Sequence, residues 1–184
     1  MPTNYYTKQL VKEENREDLW QAYDNCLEED VHQDWNLWYL KKRQMRQSYW
    51  KQWQSIHDID RYMFREHNAR TAVHYFLKYV PDSYTRMHQD NKDSVTKTVI
   101  TFLEESPDLV GGDTLVFDQH YSKPIIEGAI NKGKTAKALD LVPVTVKTGQ
   151  YQSLIYDWNV QHGVTRVFSG HRIVLVSWYV SARI

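Results

Sequence analysis

The sequence predicts an α+β protein with a mainly β core: a helical part over about residues 1–70, then a β sandwich or barrel over about residues 71–184. Two asymmetries carry this reading. All seven glycines lie between Gly111 and Gly170, whereas five of the seven tryptophans lie between Trp20 and Trp53. From Glu13 to Asn68 there is no Gly or Pro, and Glu, Gln, Lys, Arg, Leu and Trp dominate. From Thr71 onward, short runs of β-branched and aromatic residues alternate with turn signals.

The first part holds good helix formers and no breaker. Leu19, Tyr23 and Leu27 recur at helical spacing, with Trp20 beside them. Trp35, Trp38 and Tyr39 begin a second run that Tyr49, Trp50, Trp53 and Ile56 continue. Asp58, Arg61, Tyr62 and Phe64 suggest a short third helix. The tryptophans are expected to cover a neighbouring sheet, because large aromatics bury area. Then the texture changes. Ala72 to Val80 reads as a strand, and Pro81-Asp82-Ser83 as a turn. Ser94 to Leu103 is β-rich, and Gly111-Gly112 breaks the chain before the run Asp113 to Phe117. Val142 to Val146, Gln152 to Tyr156, Val164 to Phe168 and Arg172 to Val180 complete the strands. His120 to Leu141 reads as a long loop, with Lys132, Lys134 and Lys137 in it.

A length of 184 residues suits one domain with a sizeable core. Lys plus Arg and Asp plus Glu both number 23. Zero formal charge gives no support for nucleic-acid or membrane-surface binding, since both need a basic face. The lone Cys26 fits a reducing compartment. The first residues lack a secretory pattern, and no apolar run approaches the roughly 18–20 residues of a membrane helix. A cytoplasmic protein is expected, as a monomer or weak homodimer.

The chemistry has to be sought among eight histidines. Two of them open His-Gln-Asp triplets. On a strand, residues i and i+2 point to one face and can hold one ion together. On a helix they stand about 200° apart. His32-Gln33-Asp34 falls in the helical part and is not expected to bind metal. His88-Gln89-Asp90 ends a predicted strand. Near the C-terminus, His162-Gly163-Val164 precedes a strand in which Arg172, Val174, Val176 and Trp178 share one face. A guanidinium on an apolar inward face is costly unless it meets an anion, and it suits a carboxylate. Two His and one carboxylate with open coordination positions form the facial triad of non-haem Fe(II) oxygenases. His120 reads as a loop residue, His171 as exposed on the opposite face from Arg172.

In this order the motifs resemble the 2-oxoglutarate- and Fe(II)-dependent dioxygenases, most closely their prolyl 4-hydroxylase-like branch. The resemblance rests on Tyr79, His88-Gln89-Asp90, the strand Thr98 to Leu103, Gly111-Gly112-Asp113-Thr114, Tyr156-Asp157, His162-Gly163-Val164, Gly170-His171-Arg172 and Trp178. It implies a double-stranded β-helix, or jelly roll, with supporting helices in front. It implies His88, Asp90 and His162 as Fe(II) ligands and Arg172 as partner of the far carboxylate of 2-oxoglutarate. Tyr79 matches a tyrosine that lines the co-substrate pocket. Phe102 stands where several relatives carry a second tyrosine, which leaves Thr101 or Tyr79 to supply a hydroxyl. The implied reaction uses O2 to hydroxylate a C–H bond and releases succinate and CO2, with ascorbate as an accessory. A prolyl residue of a protein or peptide is the expected substrate, with the segment from His120 to Leu141 closing over it. Hydroxylation of a free amino acid or other small molecule is the alternative. A non-catalytic jelly-roll module that binds metal or ligand is the alternative from another class.

Overall fold

Period-two alternation along the second part of the chain builds two antiparallel sheets that face each other. The computed structural model describes residues 5–33, 38–117 and 143–182. In order come β1 (Tyr5–Gln9), α1 (Arg16–Asp24), β2 (Glu28–Gln33), β3 (Trp38–Gln44), α2 (Gln54–His67), β4 (Ala69–Tyr79), β5 (Thr85–His88), β6 (Lys97–Glu105), β7 (Val110–Gly111) and β8 (Thr114–Val116). They are followed by β9 (Val144–Val146), β10 (Gln152–Asp157), β11 (His162–Val164), β12 (Val167–Ser169) and β13 (Arg172–Ser181). The major sheet has seven strands in the order β1-β10-β6-β13-β4-β3-β2. The minor sheet has four, β5-β11-β8-β9, and β12 pairs with β7.

The central strand β13 is buried on both faces because it lies between β4 and β6. Its Ile173, Leu175 and Tyr179 pack outward with Phe76, Val99, Leu103 and Ile155 against Leu19, Ala22 and Tyr23 of α1 and Ile56, Ile59 and Met63 of α2. Fully burying such a side chain stabilises by about 1.5–3 kcal/mol, so this layer holds the helices on the sheet. Trp20, Trp50 and Trp53 pack half-buried against the same cluster, as the tryptophan-rich composition led one to expect. The inner face of the major sheet carries Tyr79, Ile100, Phe102, Leu154, Tyr156, Val174 and Val176, which meet Val116 and Val164 of the minor sheet. The two-sheet, mainly β architecture with helices against one face is the one expected.

The expectation of a wholly helical first part is corrected. Two α-helices form there, but β1, β2 and β3 are interleaved with them. The physical reason is a period-two charge pattern that outweighs helix propensity. Glu28 and Asp30 of β2 face Arg43 and Lys41 of β3, pairing at 3.3 Å and 2.9 Å. β3 then joins β4 in register, which extends the sheet. His32 and Gln33 therefore lie on a strand, not a helix. Asp34, Trp35, His120, the lysine cluster at 132, 134 and 137 and the expected loop from His120 to Leu141 lie outside the described residues. Among the described residues, no helix is long and apolar enough to cross a membrane.

Candidate active site

Strand pairing brings the two histidines together. β5 ends on His88, β11 begins on His162, and the two are direct cross-strand partners. Their rings lie 4.3 Å apart. The approach of the strands requires Gly163: a Cβ there would stand 2.8 Å from Met87 Sδ and 2.9 Å from the Thr85 carbonyl oxygen. Each imidazole is held the same way. His88 Nδ1 donates to the Arg86 carbonyl at 2.7 Å, and His162 Nδ1 donates to the Val160 carbonyl at 2.9 Å. With Nδ1 protonated, Nε2 carries the lone pair of each neutral ring.

Both Nε2 atoms face one carboxylate oxygen. Asp90 Oδ1 lies 3.8 Å from His88 Nε2 and 3.5 Å from His162 Nε2. The three ligand atoms fall within 4.8 Å of one another. Asp90 is itself anchored. Its amide donates to the Trp158 carbonyl at 3.2 Å, and Thr98 Oγ1 donates to Oδ2 at 2.6 Å, which leaves Oδ1 turned to the histidines. Burial first, then the adjacent His162, pushes the His88 imidazole down to about 4, against the opposing pull of the Arg86 carbonyl and Asp90. His88 is thus neutral at ordinary pH, the state a metal ligand needs.

Arg172 stands at the other end of the same cavity. Its side chain is 1% exposed. Nη1 donates to the Gly112 carbonyl at 2.5 Å and to Thr114 Oγ1 at 2.7 Å. Gly112 has φ +68°, which only glycine adopts without strain, and its absent side chain lets Arg172 pack alongside. The guanidinium sits 5.2 Å from the centres of the Tyr79 and Phe102 rings. No carboxylate among the described residues lies within ion-pair distance of it, and its buried Nε has no hydrogen-bond partner. Burial lowers the Arg172 pKa from its ordinary value, and nearby Tyr79, Glu105 and Asp113 pull it back. A buried cation without a counter-ion costs several kcal/mol, roughly, unless an anion completes the site.

The cavity between these ends encloses about 400 Å³ and is walled by Ile100, Tyr156, Val174 and Val176. Tyr79 lines it beside Arg172, with its hydroxyl bonded to Thr85 Oγ1 at 2.8 Å. Trp178 and Tyr75 line it toward the opposite end of β13 and β4. Thr101 is not brought to the cavity. It lies on the outward face of β6, and its hydroxyl meets Ser153 at 2.7 Å. His171 points away from Arg172 and pairs with Glu104 at 2.6 Å. Sequence reasoning missed Thr98, Thr114 and Tyr75. Two of them share strand parity with a residue the sequence singled out, Thr98 with Phe102 and Tyr75 with Tyr79.

The residues present fit a facial metal site: two neutral imidazoles and one carboxylate on one side, and an open cavity on the other. The orphaned Nε of Arg172 fits a carboxylate at the far end.

No family model matches the sequence, and no curated protein matches it. Solved structures do resemble the fold. An oxidoreductase of the 2OG-Fe(II) oxygenase family from Burkholderia pseudomallei superposes with TM-score 0.67 at 12% identity, covering 98% of this chain and 89% of that one. The viral collagen prolyl hydroxylase of Paramecium Bursaria Chlorella virus-1, solved with 2OG, gives 0.62 at 14% identity over 96% and 95% of the two chains. The α-ketoglutarate-dependent epimerase SnoN from nogalamycin biosynthesis gives 0.69 at 13% identity over 98% and 79%. A chain that folds this way over nearly its whole length, with two histidines and an aspartate gathered between its sheets, has the jelly-roll fold of the 2-oxoglutarate/Fe(II) oxygenases, prolyl hydroxylases among them.

Proposed function

We propose that this protein is an Fe(II)- and 2-oxoglutarate-dependent dioxygenase that hydroxylates a substrate C–H bond, with a prolyl residue of a protein or peptide as the target. One observation carries the reading: His88, Asp90 and His162 converge at one end of a cavity whose other end is a buried arginine without an acid partner. His88, Asp90 and His162 would hold the metal, and Arg172, with Tyr79 beside it, would hold the distal carboxylate of 2-oxoglutarate. When bound, the iron supplies the O2 chemistry that couples oxidation of 2-oxoglutarate to succinate and CO2 with hydroxylation of the substrate. The chain's own part is positional. Arg172 binds and orients one end of the co-substrate. Thr98 keeps Asp90 turned to the metal, and the carbonyls of Arg86 and Val160 bind both imidazoles at Nδ1 and so aim each Nε2. The apolar walls keep bulk water from the reacting end.

A second reading, hydroxylation of a small molecule, is favoured by the modest size of the cavity and by the fold's likeness to SnoN. A free Cys26 is compatible with the reducing cytoplasm as the place of action. The test is succinate release from 2-oxoglutarate with Fe(II) and O2, followed by mass-spectrometric search for +16 Da peptides. His162→Ala should abolish both. Succinate release that persists in His162→Ala at wild-type rate would overturn the assignment.

A further inference from the structure

Among the described residues that line the cavity, Asp90 and Arg172 are the only Asp, Glu, Lys or Arg side chains. On the dioxygenase reading the metal claims the first and the co-substrate the second. A further cation, Lys42, is not itself part of the lining but leans over a ring that is. β3 carries three in succession, Lys41, Lys42 and Arg43. Lys41 and Arg43 lie on the outer face, paired with Asp30 and Glu28. Lys42 alternates to the inner face, in register with Leu77 of β4. Glu29 lies directly across from it on β2, yet the two form no ion pair. Instead the Lys42 ammonium leans over the ring of Tyr75, 4.6 Å from its centre. Tyr75 lines the cavity. Its ring meets Trp178 edge-on, 5.6 Å between centres.

We infer that Lys42, held over the face of the Tyr75 ring, forms an anion-reading corner of the substrate site, selecting substrates that carry a carboxylate next to the C–H that reacts. This rests on the dioxygenase reading and adds the charge of the substrate to it. Trp178 and the Tyr75 ring give the apolar body of the substrate a surface. The ammonium over the Tyr75 ring supplies the donor, and a carboxylate accepts from it. A lysine with an acid in register but turned inward keeps its charge available to a ligand. A basic substrate would meet repulsion at the same point. The carboxylate comes from an acidic residue beside the target in a peptide. The α-carboxylate of a free amino acid has the same chemistry, and the experiment separates the two.

The protein is loaded with Ni(II) and 2-oxoglutarate, so that binding is read without turnover by titration calorimetry. The probes are proline-centred peptides with Glu or Gln at the flanking positions, and proline against prolinamide. Wild type should bind the Glu peptide at least tenfold tighter than the Gln peptide. Lys42→Ala should bring that ratio near one, Lys42→Arg should keep it above one, and Lys42→Glu should invert it. Lys41→Ala, on the opposite face of the same strand, should keep the wild-type ratio. Preference for proline over prolinamide without preference between the peptides would move the carboxylate to a free acid and overturn the peptide source. No charge preference in either pair, or a preference that survives in Lys42→Ala, would overturn the corner itself. Failure of Ni(II) and 2-oxoglutarate to bind at all would instead overturn the dioxygenase reading beneath it.

Discussion

At the scale of single residues, Thr98 and Gly163 set the geometry of the proposed metal site without being ligands in it. Thr98 spends its hydroxyl on Asp90 Oδ2 and so sets which oxygen faces the histidines. Thr98→Val keeps the shape and removes that bond, and groups that orient ligands are worth about 10–100-fold in metal affinity. Titration with Ni(II) should show a loss of that size with little change in unfolding midpoint. Gly163 sets the spacing of β11 on β5. Gly163→Ala places a methyl 2.8 Å from Met87 Sδ and 2.9 Å from the Thr85 carbonyl, so the strands must part and His162 must move from His88. Metal affinity should fall further in Gly163→Ala than in Thr98→Val, together with stability. His88 adds a pH signature. Its pKa falls from 6.5 unfolded to about 4 folded, so between those values the unfolded chain binds more protons. Stability of the metal-free protein is therefore lost as pH falls from 6.5 toward 4 and levels off below. Urea unfolding at pH 7, 5.5 and 4.5 should show that slope, and His88→Gln should lack it.

At the scale of elements, the attachment of α2 to the major sheet runs through a polar network as well as the apolar layer. Asp60 of α2 accepts from His74 Nε2 at 3.0 Å and from the Tyr179 hydroxyl at 2.7 Å, and the Ser177 hydroxyl donates to His74 Nδ1 at 2.7 Å. Burial alone would raise the Asp60 carboxyl, but the bonds from His74, Tyr179 and Thr71 outweigh it and hold the group below its ordinary value. Its contribution is present above the unfolded carboxylate pKa and is lost as pH falls through the folded one. Asp60→Ala leaves buried donors unpaired and should cost about 2–4 kcal/mol in urea unfolding at pH 7, with metal affinity of the folded protein unchanged. This network was not legible in the sequence, because its members come from α2, β4 and β13. The strands themselves were legible where runs of β-branched and aromatic residues lie between turn signals, as in β4, β6, β10 and β13. The β2–β3 hairpin was missed because its residues are good helix formers singly. Only the alternation of Glu28 and Asp30 against Lys41 and Arg43 reveals strands.

At the scale of the whole molecule, one cavity joins two ends built by different strands. The histidine end, the proposed metal site, comes from β5 and β11 with Asp90 between, and the arginine end from β13, β8 and the Gly111-Gly112 turn. The ligand triplet and the inward arginine were visible in the sequence because each sits in a short motif. Their supports were not, since Arg172 reaches Thr114 across 58 residues of chain. Thr101 shows how sharp the limit is. It neighbours the inward Phe102, and a step of one residue on a strand changes the face. Arg172 also sets function against stability. Buried and without an acid, it is tolerated by the metal-free, co-substrate-free protein only at a cost in folding energy. Ordinary buried ion pairs lose about 3–5 kcal/mol when one partner is removed. Arg172→Leu removes a charge that has no partner, so the melting temperature of the ligand-free protein should hold or rise. The same substitution should weaken 2-oxoglutarate binding by about 2–5 kcal/mol while Ni(II) affinity remains near wild type. The rise in melting temperature that 2-oxoglutarate gives the wild type should vanish in the variant. A melting temperature lowered by many degrees would mean that Arg172 is a structural residue satisfied by Gly112 and Thr114 alone. The carboxylate of the co-substrate would then have to be sought elsewhere in the cavity.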